Sequence, residues 1–344
     1  MEADSELRTA LGVSVVRFPF EHVPTHLLRS LLFSVAAAVW LSANSNRYTI
    51  VQIDGATTIA ASDVNASHFV HAAWRRSAAH VSRYDRGIYG AYHSALGWIN
   101  EVQERAAYRR AKRIIAVSHL VKRELVALGV KAADVDIISL GVDASKFTRS
   151  AGDRKRFGLP ADVFIALFAG DLKTPRKNLE SVLRALASAP NVHLAVVGTQ
   201  RRNHYGNMAR RLGVASQVTF LGFRSDIADV MQACNAFVFP SQYEPFGLVV
   251  LEAMASGLPV VTARSTGASD VVDAESGYVI DDACDEQAIA QFLRKLAEDE
   301  DLRYRMGEAA RRRAEHYSWD AVADAFLAAY ERAASAKRRV LDSA

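Results

Sequence analysis

AFVFPSQYEPFGLVVLEAMASGLPVVTARSTGASDVV, residues 236–272, is the stretch that decides the fold. AFVFP is a short apolar run without alternation, the pattern of a strand buried on both faces of a parallel sheet. SQYEPFG reads as a turn, with Pro245 fixing φ and Gly247 allowing close backbone approach. LVVLEAMASG reads as a helix closed by Gly257, and LPVV starts the next strand. This is one βαβ unit.

The same alternation extends outward on both sides. Strand-like runs occur at 13–18, 48–53, 113–118, 135–140, 164–169, 192–198, 217–222, 258–263 and 277–280. Helix-length segments such as NLESVLRALASA (178–189) lie between them. Repeated strand–helix units with right-handed crossovers make doubly wound α/β domains. DVNASHFVHAAW (63–74) is read as following a strand. A boundary falls near 144–161, in the polar, Gly- and Pro-bearing ASKFTRSAGDRKRFGLPA, and the chain after 280 reads as helix. Two Rossmann-like domains facing a cleft are expected, at 1–150 and 151–318, with 319–344 as a C-terminal helix.

Composition sets limits on the class. With 344 residues, 50% hydrophobic and 23% charged, the chain is an ordinary globular protein and not a disordered or coiled-coil one. Two cysteines, Cys234 and Cys284, cannot build a disulfide framework and fit a reducing, cytoplasmic setting. The uncharged run Leu31–Ala43 is too short to span a bilayer and reads as a buried core helix. Residues 1–150 carry 18 Lys/Arg against 13 Asp/Glu, and the remainder 24 against 25, so the first half is the basic one. Such a face suits phosphates or peripheral contact with an anionic membrane. No zinc-finger, RNP or helix-turn-helix pattern points to nucleic acid.

Ligands of such sheets bind outside the carboxyl ends of the strands. A helix opening at Gly247 turns free N–H groups into the cleft, a setting for a diphosphate. Glu244 precedes that helix and Glu252 lies within it, eight positions on. A carboxylate beside an anion site suits donors such as hydroxyl groups, so the pair points to a nucleotide sugar. The spacing alone also accommodates a plain loop position and a solvated helix position. Asp134-Val-Asp136 has the D-x-D form of a metal site, but it stands at a turn with no third ligand, and no metal is expected.

EPFGLVVLEAMASGLPVV (244–261) resembles the E-x7-E segment of retaining GT-B glycosyltransferases of the family 4 type. IIAVSHLVKREL (114–125), IISLGVDASKF (137–147) and FAGDLKTPRKNLESVLRAL (168–186) resemble further segments in the family's order. The resemblance implies a retaining transferase that uses a nucleotide-sugar donor, a glycan or lipid-linked glycan acceptor, and no metal or other cofactor. It implies that Glu244 contacts the donor sugar and Glu252 the ribose, that the amides of Gly247, Leu248 and Val249 hold the distal phosphate beside Phe246, and that the backbone near Phe223 meets the base. Gly170 and Gly198 line the same donor site. Lys177, supported by Arg176 with Lys173 in reserve, neutralises the leaving diphosphate, and His68, with His71 second, stands near sugar and acceptor. The catalytic set is then His68, Lys177 and Glu244. Helices around 318–335 cross back to the first domain.

The pattern departs from the family in four places. Leu140 replaces the usual Asn, Asp171 the common Arg, and Gly267-Ala-Ser-Asp270 stands where Gly-Gly-x-x-Glu is common. MEADSELRTALGVSVVRF looks like the end of the first helix passing into the second strand, with no Gly-Gly loop. A nucleotide-sugar epimerase of the same fold, or a non-catalytic sugar-nucleotide-binding protein, are the alternatives. The first needs extra acids, of which the N-terminal half offers no clear pair.

Overall fold

A computed structural model describes residues 14–200 and 203–342. Two parallel sheets form the molecule. The first has four strands in chain order: β1 (Gln52–Asp54), β2 (Ser62–Ser67), β3 (Ala111–Ala116) and β4 (Val135–Ile137). Helices α2 (His71–Arg76) and α3 (Ile88–Arg110) connect β2 to β3, and α4 (His119–Ala127) connects β3 to β4.

The second sheet has six strands: β5 (Phe164–Ala169), β6 (Val192–Val197), β7 (Val218–Gly222), β8 (Ala236–Phe239), β9 (Val260–Ala263) and β10 (Gly277–Ile280). Their order is β10-β9-β8-β5-β6-β7, all pairs parallel. The chain winds outward from β5 in one direction and then from β8 in the other. Neighbouring β5 and β8 are therefore the switch point, where a crevice opens at their carboxyl ends. All residues of β5, β8 and β9 are buried, which explains their unbroken apolar runs. The crossovers are α5 (Leu179–Leu186), α6 (His204–Arg211), α7 (Ile227–Gln232) and α8 (Leu248–Ala255), followed by α9 (Glu286–Glu298) and α10 (Glu300–Ala314).

Helix α11 (Trp319–Asp342) leaves the second unit and packs on the first sheet. Its Ala329 and Ala333 meet Val64, Ile115 and Ile138. Polar contacts fix the seat. Buried Asp63 receives Lys112 at 2.9 Å, Lys337 at 3.1 Å and the Val51 amide at 3.1 Å, and Arg332 reaches Asp136 at 3.5 Å. Burial opposes ionisation of Asp63, but these bonds prevail and hold its carboxyl below the usual range. The two passages of the chain between the sheets touch. A Cβ on Gly141 would lie 2.8 Å from the Trp319 nitrogen, and the Val142 amide donates to the Tyr317 carbonyl at 2.7 Å.

Two sequence expectations fail near the start. Residues 14–18 of the expected strand 13–18 form none. Val15 and Val16 are exposed, and a strand without a paired neighbour is not stable. Residues 1–13, including the expected helix end, lie outside the described residues. The run 31–43 belongs to a longer helix, α1 (His26–Asn44), which is not a core helix. Its small side chains Ser34 and Ala37 face inward, while Leu32, Phe33, Val35 and Val39 face outward. The stretch Leu27–Arg47, mean hydropathy 1.4, has the length and composition to cross a membrane. Arg29 interrupts the uncharged run and conceals that length. DVNAS, read as a segment after a strand, is itself part of one, β2 (Ser62–Ser67), and β1 precedes it.

Candidate active site

Two loops at the switch point are laced together. After β5, a single 3-10 turn, Pro175–Lys177, leads into α5. Buried Asn178 fastens it: its amide donates to the carbonyls of Pro240 at 3.1 Å and Ala283 at 2.6 Å. The Arg176 carbonyl in turn accepts from the Gln242 amide at 2.9 Å and the Ser241 hydroxyl at 3.0 Å. The loop after β8 therefore cannot move without the loop after β5.

This lacing brings Lys177, Arg176 and Glu244 together. The Lys177 ammonium donates to Glu244 Oε2, and Arg176 Nη1 lies 3.3 Å from the same oxygen and 3.2 Å from the Tyr243 carbonyl. The Lys177 and Glu244 side chains are both mostly buried. Burial lowers the Lys177 pKa, partly opposed by Glu244. The stem of Lys177 lies along Gly170, where an added Cβ would meet Lys177 Cγ at 3.3 Å. Gly198, at the end of β6, has φ +145°, and a Cβ there would stand 2.1 Å from the Gly170 carbonyl. Only glycine permits this approach.

Gly247, at φ +96°, turns the chain from Glu244 into α8. The first hydrogen bond of that helix runs from the Val250 amide to the Gly247 carbonyl at 2.9 Å, so the amides of Leu248 and Val249 precede the ladder. Phe246 is buried beneath them. Glu252, one turn further, is partly buried, and desolvation raises its pKa. Among the described residues no side chain or amide bonds its carboxylate. Hence two cations and the Glu244 carboxylate converge beside an open helix end, with Glu252 carried on the same helix.

The other expected residues lie further out. Phe223 follows β7 and is exposed. Lys173 is exposed on the turn, where its amide bonds Asp171 at 3.1 Å. His68 directly follows β2 and is exposed, and among the described residues no hydrogen bond, ion pair or ring contact joins it to the crevice. His71 is partly buried, its amide held by Glu104 at 2.8 Å. Asp136 is taken up by Arg113 at 2.7 Å, with Asp134 4.0 Å from the same guanidinium. Among the described residues no group of three or more His, Cys, Asp or Glu could hold a metal ion.

Several contacts were not foreseen from the sequence. Tyr243 packs its ring against Phe69 and Trp74 of the first domain, and Arg176 stands over the Trp74 ring. The first domain also holds the buried Glu104 and the half-buried Glu124. Glu104 spends both oxygens on the amides of His71 and Ala72, and Glu124 faces the Tyr243 hydroxyl at 3.2 Å. Burial pushes each up to about 7. Both are occupied within the protein, unlike acids that serve proton abstraction from a substrate.

The family models agree with this architecture. Residues 2–146 match Glycosyltransferase Family 4, and residues 150–313 match Glycosyl transferases group 1. The D-inositol 3-phosphate glycosyltransferase of Mycolicibacterium paratuberculosis is 32% identical over 355 aligned residues, covering 95% of this chain and 78% of that protein. The chain belongs to this glycosyltransferase family. The protein of the same description from Streptomyces avermitilis is 35% identical over 262 residues, covering 70% of this chain but only 55% of the relative. For the Stackebrandtia nassauensis relative the match spans 51% of its length, so the chain spans about half of these two proteins. Among solved structures, sucrose-phosphate synthase from Thermosynechococcus elongatus has a TM-score of 0.72 at 21% identity, covering 95% of this chain and 82% of that one. Anabaena HepE, solved with UDP-glucose, has a TM-score of 0.62 at 24% identity, covering 80% and 72%. These likenesses establish the GT-B fold of two Rossmann-like domains.

Proposed function

We propose that this glycosyltransferase moves a sugar from a nucleotide-sugar donor to a hydroxyl acceptor with retention of anomeric configuration. The observation that carries the proposal is the convergence of Lys177, Arg176 and Glu244 beside the open end of α8. The diphosphate takes the amides at 247–249 and the two cations, releasing Glu244 from its ion pairs to accept hydrogen bonds from the donor sugar. Glu252 takes the ribose hydroxyls. In the transfer step the bond from the anomeric carbon to the phosphate oxygen breaks and the bond to the acceptor oxygen forms on the same face. The acceptor proton passes to the leaving diphosphate, so no protein nucleophile is required. A planar guanidinium and a point-charge ammonium together offset the charge that develops on that leaving group. His68 belongs to the acceptor side, and the reaction requires no metal.

The acceptor offers a sugar or polyol hydroxyl. Relatives named for inositol 3-phosphate make that compound the first to try, with glycans and lipid-linked glycans next. The basic first half and the outward apolar face of α1 suit work at the inner face of an anionic membrane. A thermal-shift screen over UDP-, GDP-, ADP- and dTDP-sugars identifies the donor, because tight ligands raise Tm by mass action. NMR of the product then reads the anomer. Product of inverted configuration rejects retention, and no stabilisation or turnover with any donor rejects the transferase reading.

A further inference from the structure

Three consecutive residues of the donor loop point alternately to the two domains. Tyr243 points to the first domain. Its hydroxyl lies 3.1 Å from the Val70 carbonyl and 3.2 Å from Glu124 Oε2, and its ring sits 5.5 Å from Phe69 and 5.4 Å from Trp74. Glu244 points back to Lys177 and Arg176 of its own domain. The Pro245 carbonyl points to the first domain again, where buried Ser118 donates its hydroxyl proton to it at 2.6 Å. That same Ser118 oxygen caps α4 by accepting from the Val121 amide at 3.2 Å. The junction has no slack. A Cβ on Gly267 would meet the Pro245 carbonyl oxygen at 1.9 Å and Ser118 Oγ at 2.7 Å. Alongside, the His119 amide donates to Asp270 at 2.8 Å.

Two peptide units span at most about 7 Å, so a loop tied at both ends over that length cannot absorb a shift of the first domain. Withdrawal of that domain must break both ties or drag Glu244 away from Lys177. We propose that Tyr243 and Ser118 are positioning residues that set Glu244 in the donor site only while the two domains are closed. This rests on the donor-site reading above. The arrangement makes a carboxylate of the second domain answer to the state of the first, so the sugar is gripped for transfer only when the acceptor domain is in place.

The test uses the full chain with Tyr243→Phe, Ser118→Ala and the double variant. Tyr243→Phe keeps the ring contacts and removes only the hydroxyl. Steady-state kinetics with the nucleotide-sugar that the wild type turns over are compared with calorimetric binding of the matching nucleoside diphosphate, which lacks the sugar that Glu244 holds. Each single variant is expected to lower kcat tenfold or more while nucleotide affinity stays within threefold, and the double variant to fall short of the product of the two. Small-angle scattering, which needs no activity, is expected to show a larger radius of gyration for the double variant. Wild-type kcat in both single variants, or a loss of nucleotide affinity equal to the loss of kcat, overturns the proposal. If the wild type itself turns over no donor, the transferase reading fails, and an unchanged radius of gyration then rejects the joint independently.

Discussion

Gly198→Ala puts the packing beneath the donor site to a quantitative test. The added methyl group would stand 2.1 Å from the Gly170 carbonyl oxygen and 3.0 Å from Leu172 Cγ, against an ordinary contact of 3.4 Å or more. The ends of β5 and β6 must part by more than 1 Å, which strains the bond from the Gly170 amide to the Val197 carbonyl, now 3.0 Å. The residue must also hold φ near +145°, where an L side chain is strained. Strain of this kind costs about 1–3 kcal/mol. Overpacking adds about 1–3 kcal/mol. Each kcal/mol shifts Tm by about 2–4 °C in a domain of this size, so a fall of at least about 4 °C is expected. Because Gly170 lies against the Lys177 stem, its displacement also moves the ammonium, and nucleoside diphosphate affinity should weaken about tenfold, the equivalent of about 1.4 kcal/mol. Thermal denaturation and calorimetry with the nucleoside diphosphate of the donor that the thermal-shift screen selects measure both quantities. An unchanged Tm together with wild-type affinity for that nucleoside diphosphate would refute the packing argument.

The remaining expectations concern charge. Lys177→Ala and Glu252→Ala should each reduce transfer by orders of magnitude while circular dichroism reports a folded chain, and wild-type turnover in both would sink the site assignment. On the proposed reading, the protonated Lys177 amine binds the donor phosphate. Burial lowers its pKa, so nucleotide affinity should fall as pH rises through that lowered value, and Lys177→Arg should move the alkaline limb out of range in the same titration. Asp63→Asn should loosen the seat of α11 by about 1–3 kcal/mol at neutral pH, the scale of lost charge-assisted hydrogen bonds. Because Asp63 has a depressed pKa in the folded state, its contribution is present above the ordinary carboxylate range and lost as pH falls through the folded value. The difference between variant and wild type in chemical denaturation should therefore shrink in acid.

What the sequence made legible follows from how each element is satisfied. β5 and β8 are buried on both faces by apolar neighbours, so FIALFA and AFVF announce themselves. β2 is equally buried but carries Ser62, Asp63, Asn65 and Ser67. Three of these side chains find partners outside the strand: Asp63 in Lys112 and Lys337, Asn65, through its nitrogen, in the Gly55 carbonyl, and Ser67 in the Tyr108 hydroxyl. A window of eight residues cannot reveal such partners, so DVNAS does not read as a strand. At the switch point, the resemblance singles out Lys177 and Glu244, and each follows a recognisable strand in a Gly- or Pro-marked turn, which is why their loops meet. The partners of Tyr243 were not readable, since Val70 and Glu124 lie 173 and 119 positions away. Helix α1 misled for the opposite reason. Its composition suits a core, but its larger side chains lie on the outward side.

The contact of Gly141 with Trp319 has a mechanical meaning. The two passages between the domains run side by side there, tied by the bond from Val142 to Tyr317. A pair of adjacent tethers acts as a pivot: the halves can swing about it, while sliding apart or shearing would stretch one strand against the other. Displacement in a swing grows with distance from the fulcrum, so small adjustments near residue 141 become large ones at the far lip of the crevice. The encounter of the two halves is also intramolecular at short tether length, which keeps their effective concentration high and makes reclosure after any opening rapid.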